Sequence, residues 1–126
     1  MLDHATILIA EDEPYIALAL QWAVEDAGGT VLGPAATVSG ALASLNENPA
    51  AAAILDVNLA DGDITPVVER LFALGAPIVL QTATQLPPDI AARFPGLTVH
   101  IKPCVPERLV EQIDEMLRAK QIISAS

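Results

Sequence analysis

Carboxylate, hydroxyl and ammonium side chains close four short apolar runs of this sequence. Asp56 is the clearest case, because residues 51–55 are all apolar and residues 60–63 are typical of a turn. If the runs are strands of one parallel sheet, their carboxyl ends meet at the edge where such sheets bind ligands. For this stretch alone, an Asp that merely caps the following turn is the alternative. The side chains that close the four runs are Glu11 with Asp12, Asp56, Thr82 and Lys102.

Grouped at one edge, these side chains would form a site with a definite electrostatic problem. Carboxylates a few ångströms apart repel and raise one another's pKa unless a cation intervenes. A hard divalent ion, Mg²⁺ or Mn²⁺, suits oxygen ligands and leaves room for a phosphate. With such an ion present, Asp56 could attack an activated phosphoryl group, while Lys102 and Thr82 would bind its oxygens. The residue types therefore predict phosphoryl transfer.

The elements that would position this set alternate along the chain. Predicted strands, most of whose side chains are apolar, occupy residues 6–10, 31–32, 51–56, 78–82 and 97–101. Helical spacing follows each run, over residues 14–27, 38–45, 64–74 and 89–94 and from residue 106 onward. Prolines at 87, 88 and 95 leave room only for a short fourth helix. Five such units predict an α/β fold with a doubly wound parallel sheet and helices on both faces.

Composition restricts the class of protein further. The 126 residues suit one domain, 1–126, with a core of about residues 5–120, and if the sequence is complete no output domain follows. A net charge of −10 with six basic residues disfavours nucleic acids and anionic membranes as partners. The single cysteine excludes an internal disulfide and fits a reducing compartment. Without a signal-like N-terminus or an apolar run near the roughly 20 residues of a membrane span, a cytoplasmic location is expected.

Four motifs, in this order and roughly in this spacing, resemble the receiver domain of two-component response regulators. The resemblance covers essentially the whole chain and implies a flavodoxin-like, CheY-like (βα)5 fold with strand order 2-1-3-4-5. The motifs are Ile-Leu-Ile-Ala-Glu11-Asp12-Glu13, Ile-Leu-Asp56-Val-Asn58-Leu, Thr82-Ala83 and Lys102-Pro103.

The resemblance also implies roles for individual residues. Asp56 would accept a phosphoryl group from the phosphohistidine of a histidine kinase or a histidine phosphotransfer protein. Glu11, Asp12 and Asp56 would hold the metal together with the backbone carbonyl of Asn58. Asn58 and Thr84 would flank the path of the hydrolytic water and so tune the lifetime of the phosphorylated state.

Other positions follow the receiver pattern to different degrees. Ala83 is small, as needed for the phosphoryl group to enter, and the peptide bond before Pro103 is expected to be cis. Glu11 replaces the more frequent Asp, Val99 stands where an aromatic switch residue is usual, and Cys104 stands where Phe is usual. We interpret Cys104 as a small packed group. The fourth strand is similar to that of a subgroup whose strand ends Phe-Ala-Thr-Gly-Tyr, without its Gly-Tyr.

The first helix carries a second apolar stripe, formed by Tyr15, Leu18 and Trp22. It lies about 150° from the main apolar face at 100° per residue. Apolar side chains on a solvent face indicate a partner, so we expect this stripe to dock on a kinase helical bundle. His4, in a terminus expected to be mobile, and His100 are interpreted as solvated or packed side chains and not as metal or phosphate carriers.

Three functions remain open on the sequence. The first is a stand-alone receiver, a monomer or weak homodimer, that acts by phosphorelay, as a phosphate sink, or by binding an unknown downstream protein when phosphorylated. It would be no enzyme beyond slow self-dephosphorylation. The second is a degenerate receiver that binds proteins without phosphorylation, which Val99 favours. The third is a small phosphatase with Asp56 as nucleophile, but phosphatases of the haloacid dehalogenase type need an Asp where Asn58 stands.

Overall fold

Five strands of this protein form one parallel sheet. The structure, a computed structural model, describes residues 1–125 and the side chains of residues 1–122. The sheet order is β2-β1-β3-β6-β7, and β4 and β5 form a small antiparallel hairpin outside it. Without the hairpin this is the predicted order 2-1-3-4-5, which is thereby confirmed. The strands are β1 (Thr6–Ala10), β2 (Thr30–Ala35), β3 (Ala52–Asp56), β4 (Asn58–Leu59), β5 (Gly62–Asp63), β6 (Ile78–Thr82) and β7 (Thr98–Ile101).

Helices cover both faces of the sheet, as predicted. Buried side chains of α1 and α5 pack on one face, and those of α2, α3 and α4 pack on the other. The fourth helix has only six residues, because Pro88 starts it and Pro95 and Gly96 follow its end. Within the described residues, no helix has both the length and the apolar character of a membrane span. The helices are α1 (Pro14–Asp26), α2 (Val38–Glu47), α3 (Thr65–Ala73), α4 (Pro88–Arg93) and α5 (Pro106–Ala125).

The central strands read as continuous apolar runs because both of their faces are buried. In β1, Ile7 and Ile9 point to the layer of α1 and α5, whereas Leu8 belongs to the layer of α2, α3 and α4. Ile54 and Leu55 divide between the two layers in the same way in β3. This alternation decides on which face each polar side chain lies at the ends of these strands.

The N-terminal residues are attached to the end of α1. The Leu2 amide donates to the Ala27 carbonyl at 2.9 Å, and the His4 amide donates to the Gly28 carbonyl at 2.8 Å. The Leu2 side chain is buried in the layer of α1 and α5. The expectation that His4 lies in a mobile terminus is therefore wrong, because a single buried leucine and two backbone hydrogen bonds hold this segment.

Strand β2 is longer than the two residues predicted for it. It continues through Gly33 and Pro34, which are joined by a cis peptide bond, and its register with β1 shifts between Leu8 and Ala10. The sequence indicated a turn at this Gly-Pro pair. Because β2 is an edge strand with only β1 beside it, a proline without an amide hydrogen is tolerated there.

Asp61 connects the hairpin to the start of α2. Its carboxylate accepts hydrogen bonds from the amides of Val38 at 2.7 Å and Ser39 at 3.1 Å, which have no partners within the helix. These bonds lower the pKa of Asp61. The hairpin that follows Asp56 is therefore held against α2 by one carboxylate.

Replacing Asp61 with alanine is expected to lower the melting temperature at pH 7, since two amides lose their acceptor. A folded-state pKa below the ordinary 3.8 means that this stabilisation is present above pH 3.8 and is lost as the pH falls through the folded value. Melting curves of wild type, Asp61→Ala and the uncharged acceptor Asp61→Asn between pH 3 and 7 measure this. A deficit of Asp61→Ala that is equally large at pH 3 would contradict the charge-dependent cap.

Candidate functional site

The structure brings the predicted strand-end residues to one edge of the sheet. Glu11 and Asp12 follow β1, Asp56 is the last residue of β3, Thr82 ends β6 and Lys102 follows β7. The backbone hydrogen bonds of the sheet continue past the ends of two strands. The Glu11 amide donates to the Ala35 carbonyl at 2.9 Å, and the Lys102 amide donates to the Thr82 carbonyl at 2.8 Å. The sheet or its first continuation therefore positions Glu11, Asp56, Thr82 and Lys102, and Asp12 follows in the loop after Glu11.

A lysine ammonium group bridges two buried carboxylates at this edge. Lys102 Nζ lies 2.6 Å from Oδ2 of Asp56 and 3.1 Å from Oε1 of Glu11. The Glu11 and Asp56 side chains are 0% and 7% exposed, whereas that of Lys102 is 23% exposed. One ammonium group therefore faces two buried acidic side chains, and Lys102 is the most exposed of the three.

The pKa of Glu11 and the pKa of Lys102 are both raised in this pocket. Burial raises the pKa of Glu11, and the Asp56 charge adds to this rise, although the Glu13 amide and Lys102 act against it. Burial also acts to lower the pKa of Lys102, but its bonds to Asp56 and Glu11 outweigh burial, so that the net shift is upward. Lys102 is therefore firmly cationic, whereas Glu11 takes up a proton more readily than an ordinary glutamate.

The donor set fits a hard divalent cation. Carboxylate oxygens of Glu11, Asp12 and Asp56 lie within 4.8 Å of one another, and Asp12 is exposed to solvent. Three acidic oxygens with one open side are typical of Mg²⁺ sites, in which the ion keeps several waters. Three acidic side chains with a single lysine bonded to them among the described residues give this site a physical reason to attract such an ion.

The other predicted site residues lie around this pocket. The backbone amide of Asn58 donates to Oδ1 of Asp56 at 3.2 Å and so helps to orient that carboxylate. The Thr82 side chain is fully buried, and its hydroxyl accepts a hydrogen bond from the Thr84 amide at 3.3 Å. Ala83 and Thr84 are exposed on the loop after β6. The Lys102–Pro103 peptide bond is cis, as expected.

Residues where the sequence departs from the usual receiver pattern have packing roles. Val99 is half-buried against the core layer of α2, α3 and α4. Cys104 is half-buried against the opposite layer, its thiol lies 3.5 Å from the Ile101 carbonyl, and burial raises its pKa. The thiol is thus kept protonated, in agreement with the packing interpretation. His100 is partly buried, and its Nε2 atom has no hydrogen-bond partner among the described residues.

Sequence reasoning missed one buried polar residue of the site, Gln81. It lies directly opposite Asp56 in the β3–β6 register, and its amide donates to Oε1 of Glu11 at 3.1 Å. Glu13 was named only as part of the first motif, without a role. Its backbone amide donates to Oε2 of Glu11 at 3.1 Å, and its side chain caps α1. For Gln81 the sequence did contain a signal, namely an amide side chain within the apolar run of β6.

The second apolar stripe of α1 is exposed, as the helical spacing predicted. The three residues of the stripe are exposed to solvent: Tyr15 is 83%, Leu18 39% and Trp22 58% exposed. The stripe starts two residues after the acidic loop that holds Glu11 and Asp12. A protein docked on it would therefore be close to the pocket.

Comparisons with known proteins give a consistent result. No protein-family model matches this sequence, and no curated protein matches it. Solved structures do match: the chain is 36% identical to SdrG from Sphingomonas melonis, covering 93% of this chain and 99% of that one, with a TM-score of 0.72. A CheY-like response regulator receiver domain protein from Methanospirillum hungatei is 25% identical over 93% of this chain and 96% of its own, with a TM-score of 0.81.

The fold, the acidic edge and these relatives define the class: this chain belongs to the receiver-domain family of response regulators. It is also similar to the response regulator PhyR from Brucella abortus, with 28% identity, a TM-score of 0.75 and coverage of 95% of this chain but 51% of PhyR. The chain thus spans about half the length of the PhyR structures that it matches. As a receiver, it is a signalling protein.

Proposed function

We propose that this receiver accepts a phosphoryl group on Asp56 from the phosphohistidine of a histidine kinase or a histidine phosphotransfer protein. The observation that carries the proposal is the 2.6 Å contact between Asp56 and Lys102 in a pocket that also holds Glu11 and Asp12. Asp56 is buried except toward this pocket. A carboxylate at this place faces both a fixed positive charge and a group of oxygens suited to a cation.

In the proposed reaction, a carboxylate oxygen of Asp56 attacks the phosphorus atom. An O–P bond forms, the N–P bond of the phosphohistidine breaks, and its electron pair returns to the imidazole. Lys102 already contacts Asp56, so its ammonium group can bind an oxygen of the arriving phosphoryl group. The Thr82 hydroxyl can donate a hydrogen bond to another oxygen. Later attack by water restores the carboxylate, and Asn58 and Thr84 flank its path.

The metal-binding part of the proposal assigns Mg²⁺, or Mn²⁺ in its place, to Glu11, Asp12, Asp56 and the Asn58 carbonyl. When bound, the ion would neutralise the charge that accumulates between the carboxylates and the phosphoryl oxygens. Glu11 and Asp12 supply charge and position for it, and Asp56 remains the nucleophile. The three carboxylates crowd within 4.8 Å, and only one cationic side chain, Lys102, is bonded to them among the described residues.

Signal output is proposed to occur through another protein. One of the similar structures is that of the anti-anti-sigma factor PhyR from Bartonella quintana, and its name indicates that this protein acts on other proteins. Among relay, phosphate sink and phosphorylation-dependent binding, this relative favours binding of a downstream protein. A degenerate receiver remains the second candidate, because Val99 supplies no aromatic ring for the usual switch.

Incubation with acetyl phosphate and Mg²⁺, followed by intact mass measurement, tests the proposal. The wild type is expected to gain one phosphoryl group. Release of many equivalents of phosphate without a stable mass gain would indicate a phosphatase. No gain and no turnover would overturn the proposal in favour of the degenerate receiver.

Replacing Leu18 and Trp22 together with glutamine is expected to slow phosphotransfer from a kinase that labels the wild type, by tenfold or roughly so, because the docked face loses its apolar contacts. Labelling by acetyl phosphate should change little. Leu18 lines a shallow cavity beside Glu11 and Asp12, but neither Leu18 nor Trp22 bonds to Asp56 or Lys102 among the described contacts. Leu74→Gln is the matched control, because Leu74 is 69% exposed at the end of α3, away from the acidic edge. Equal transfer rates for the double variant and the control would remove the docking assignment.

A further inference from the structure

Gln81 is a buried amide in a place where a strand residue would ordinarily be apolar. The other members of β6 before it are Ile78, Val79 and Leu80, and Gln81 itself is 1% exposed. Burying an amide without hydrogen bonds is unfavourable, because the group gives up its bonds to water. A glutamine at this position therefore needs a partner.

That partner is the carboxylate of Glu11. Gln81 Nε2 lies 3.1 Å from Oε1 of Glu11, and Lys102 Nζ lies 3.1 Å from the same oxygen. The alternation of the strands puts Glu11, Asp56 and Gln81 on the face covered by α1 and α5, since Ile9, Ile54 and Val79 belong to that layer. The side chains thus form one connected set that runs from Gln81 through Glu11 and Lys102 to Asp56.

The hydrogen bonds of Glu11 are unevenly divided between its two oxygens. A carboxylate has about two acceptor positions on each oxygen. Among the described residues, Oε1 receives two donors, Gln81 and Lys102, whereas Oε2 receives one, the backbone amide of Glu13 at 3.1 Å. Oε2 is therefore the oxygen with a remaining lone pair, and the two donors on Oε1 fix the plane of the group.

The length of the side chain at position 11 matters for this arrangement. An aspartate, which is more frequent at this place in receivers, is one methylene shorter. Its oxygens would lie about 1.5 Å further from Gln81, beyond hydrogen-bond range of the amide. Glu11 and Gln81 are thus suited to each other as a pair.

We propose that Gln81 is a positioning residue of the cation site, which holds Oε1 of Glu11 so that Oε2 is presented to the divalent ion. This role rests on the proposed function, because it concerns the ion that the receiver reaction uses. It assigns no contact between Gln81 and the phosphoryl group. Gln81 acts only through Glu11.

Calorimetric titration with Mg²⁺ in the absence of any phosphodonor tests the proposal. Gln81→Met, which keeps the volume but removes the donor, is expected to bind Mg²⁺ about tenfold more weakly than the wild type, as is common when a residue that orients a metal ligand is removed. In a Glu11→Asp background, the same substitution is expected to change the dissociation constant by less than about twofold, because the shorter carboxylate does not reach Gln81.

A second measurement uses the wild type and Glu11→Asp, so it does not require a folded Gln81 variant. In the metal-free wild type, the Gln81 side-chain amide protons should exchange slowly with water in nuclear magnetic resonance spectra. In Glu11→Asp they should exchange faster, because their acceptor is withdrawn.

The outcomes separate this role from the proposed function. If the wild type binds Mg²⁺ and Gln81→Met binds it with the same affinity, only the role of Gln81 is overturned. The same loss of affinity in the wild-type and the Glu11→Asp backgrounds would also overturn it, since Gln81 would then act through packing. A wild type that binds no Mg²⁺ would overturn the metal site of the proposed function, and this role with it.

Discussion

Replacement of Asp56 by alanine is expected to abolish the mass gain that acetyl phosphate and Mg²⁺ give to the wild type. The carboxylate is the nucleophile of the proposed reaction, and no other carboxylate of the cluster is placed as it is. Glu11 has three hydrogen-bond donors already, and Asp12 is exposed and forms no ion pair with Lys102 among the described contacts. Intact mass spectrometry over a time course measures the result directly, with loss of the whole signal as the expected effect.

Asp63→Ala is the matched control for this experiment. Asp63 lies in the hairpin after Asp56 and is exposed, and its carboxylate accepts hydrogen bonds from the side chain of Thr65 and, at 2.8 Å, from the backbone amide of Thr65. It should therefore keep the full mass gain. A single phosphoryl group on Asp56→Ala would mean that another side chain is the acceptor. Loss of labelling in both variants would point to damage to the loop and not to loss of a nucleophile.

Replacement of Lys102 by methionine is expected to lower the free energy of unfolding at pH 7 by about 2–3 kcal/mol, or the melting temperature by roughly 10 °C. Two buried carboxylates then lose the cation between them. The figure is at the lower end for a broken buried ion pair, because the Lys102 side chain is 23% exposed and screened in part by water. Urea unfolding monitored by circular dichroism measures the change.

The pH dependence identifies the cause of this loss. The pKa of Glu11 is already raised above its ordinary 4.5, and removal of Lys102 should raise it further. A carboxyl group whose pKa is higher in the folded protein favours folding more as it gains a proton, so the deficit of Lys102→Met should shrink as the pH falls from 7 toward 4.5. In the wild type, the stabilisation from Lys102 is complete below the ordinary lysine pKa of 10.5. It is lost as the pH rises through the higher pKa that Lys102 has in the folded protein.

Lys120→Met is the control, because it removes the same charge from an exposed position on α5, where substitutions usually change stability by less than about 0.5 kcal/mol. A deficit of Lys102→Met that does not depend on pH would indicate lost packing of the lysine stem. It would contradict the interpretation of Lys102 as the neutralising group of the pocket.

Much of the fold followed from local patterns. The strand ends could be predicted because Asp56, Thr82 and Lys102 each close a largely apolar stretch. For β1, β3 and β6, continuous burial on both faces leaves few alternatives to a central parallel strand. The parallel arrangement then requires all carboxyl ends to meet at one edge. The sequence could not indicate that β2 passes through Gly33 and Pro34, because the same pair is typical of turns.

By itself, the sequence determined which side chains reach the acidic edge, because chain order and strand direction decide that. Only the tertiary structure decided their partners: Gln81 with Glu11, Asp61 with the start of α2, and Leu2 with the end of α1. The first of these contacts joins residues 70 positions apart and the second joins residues 23 positions apart. Local propensity carries no information about such pairs. The register of neighbouring strands and the packing of helices on the sheet select them.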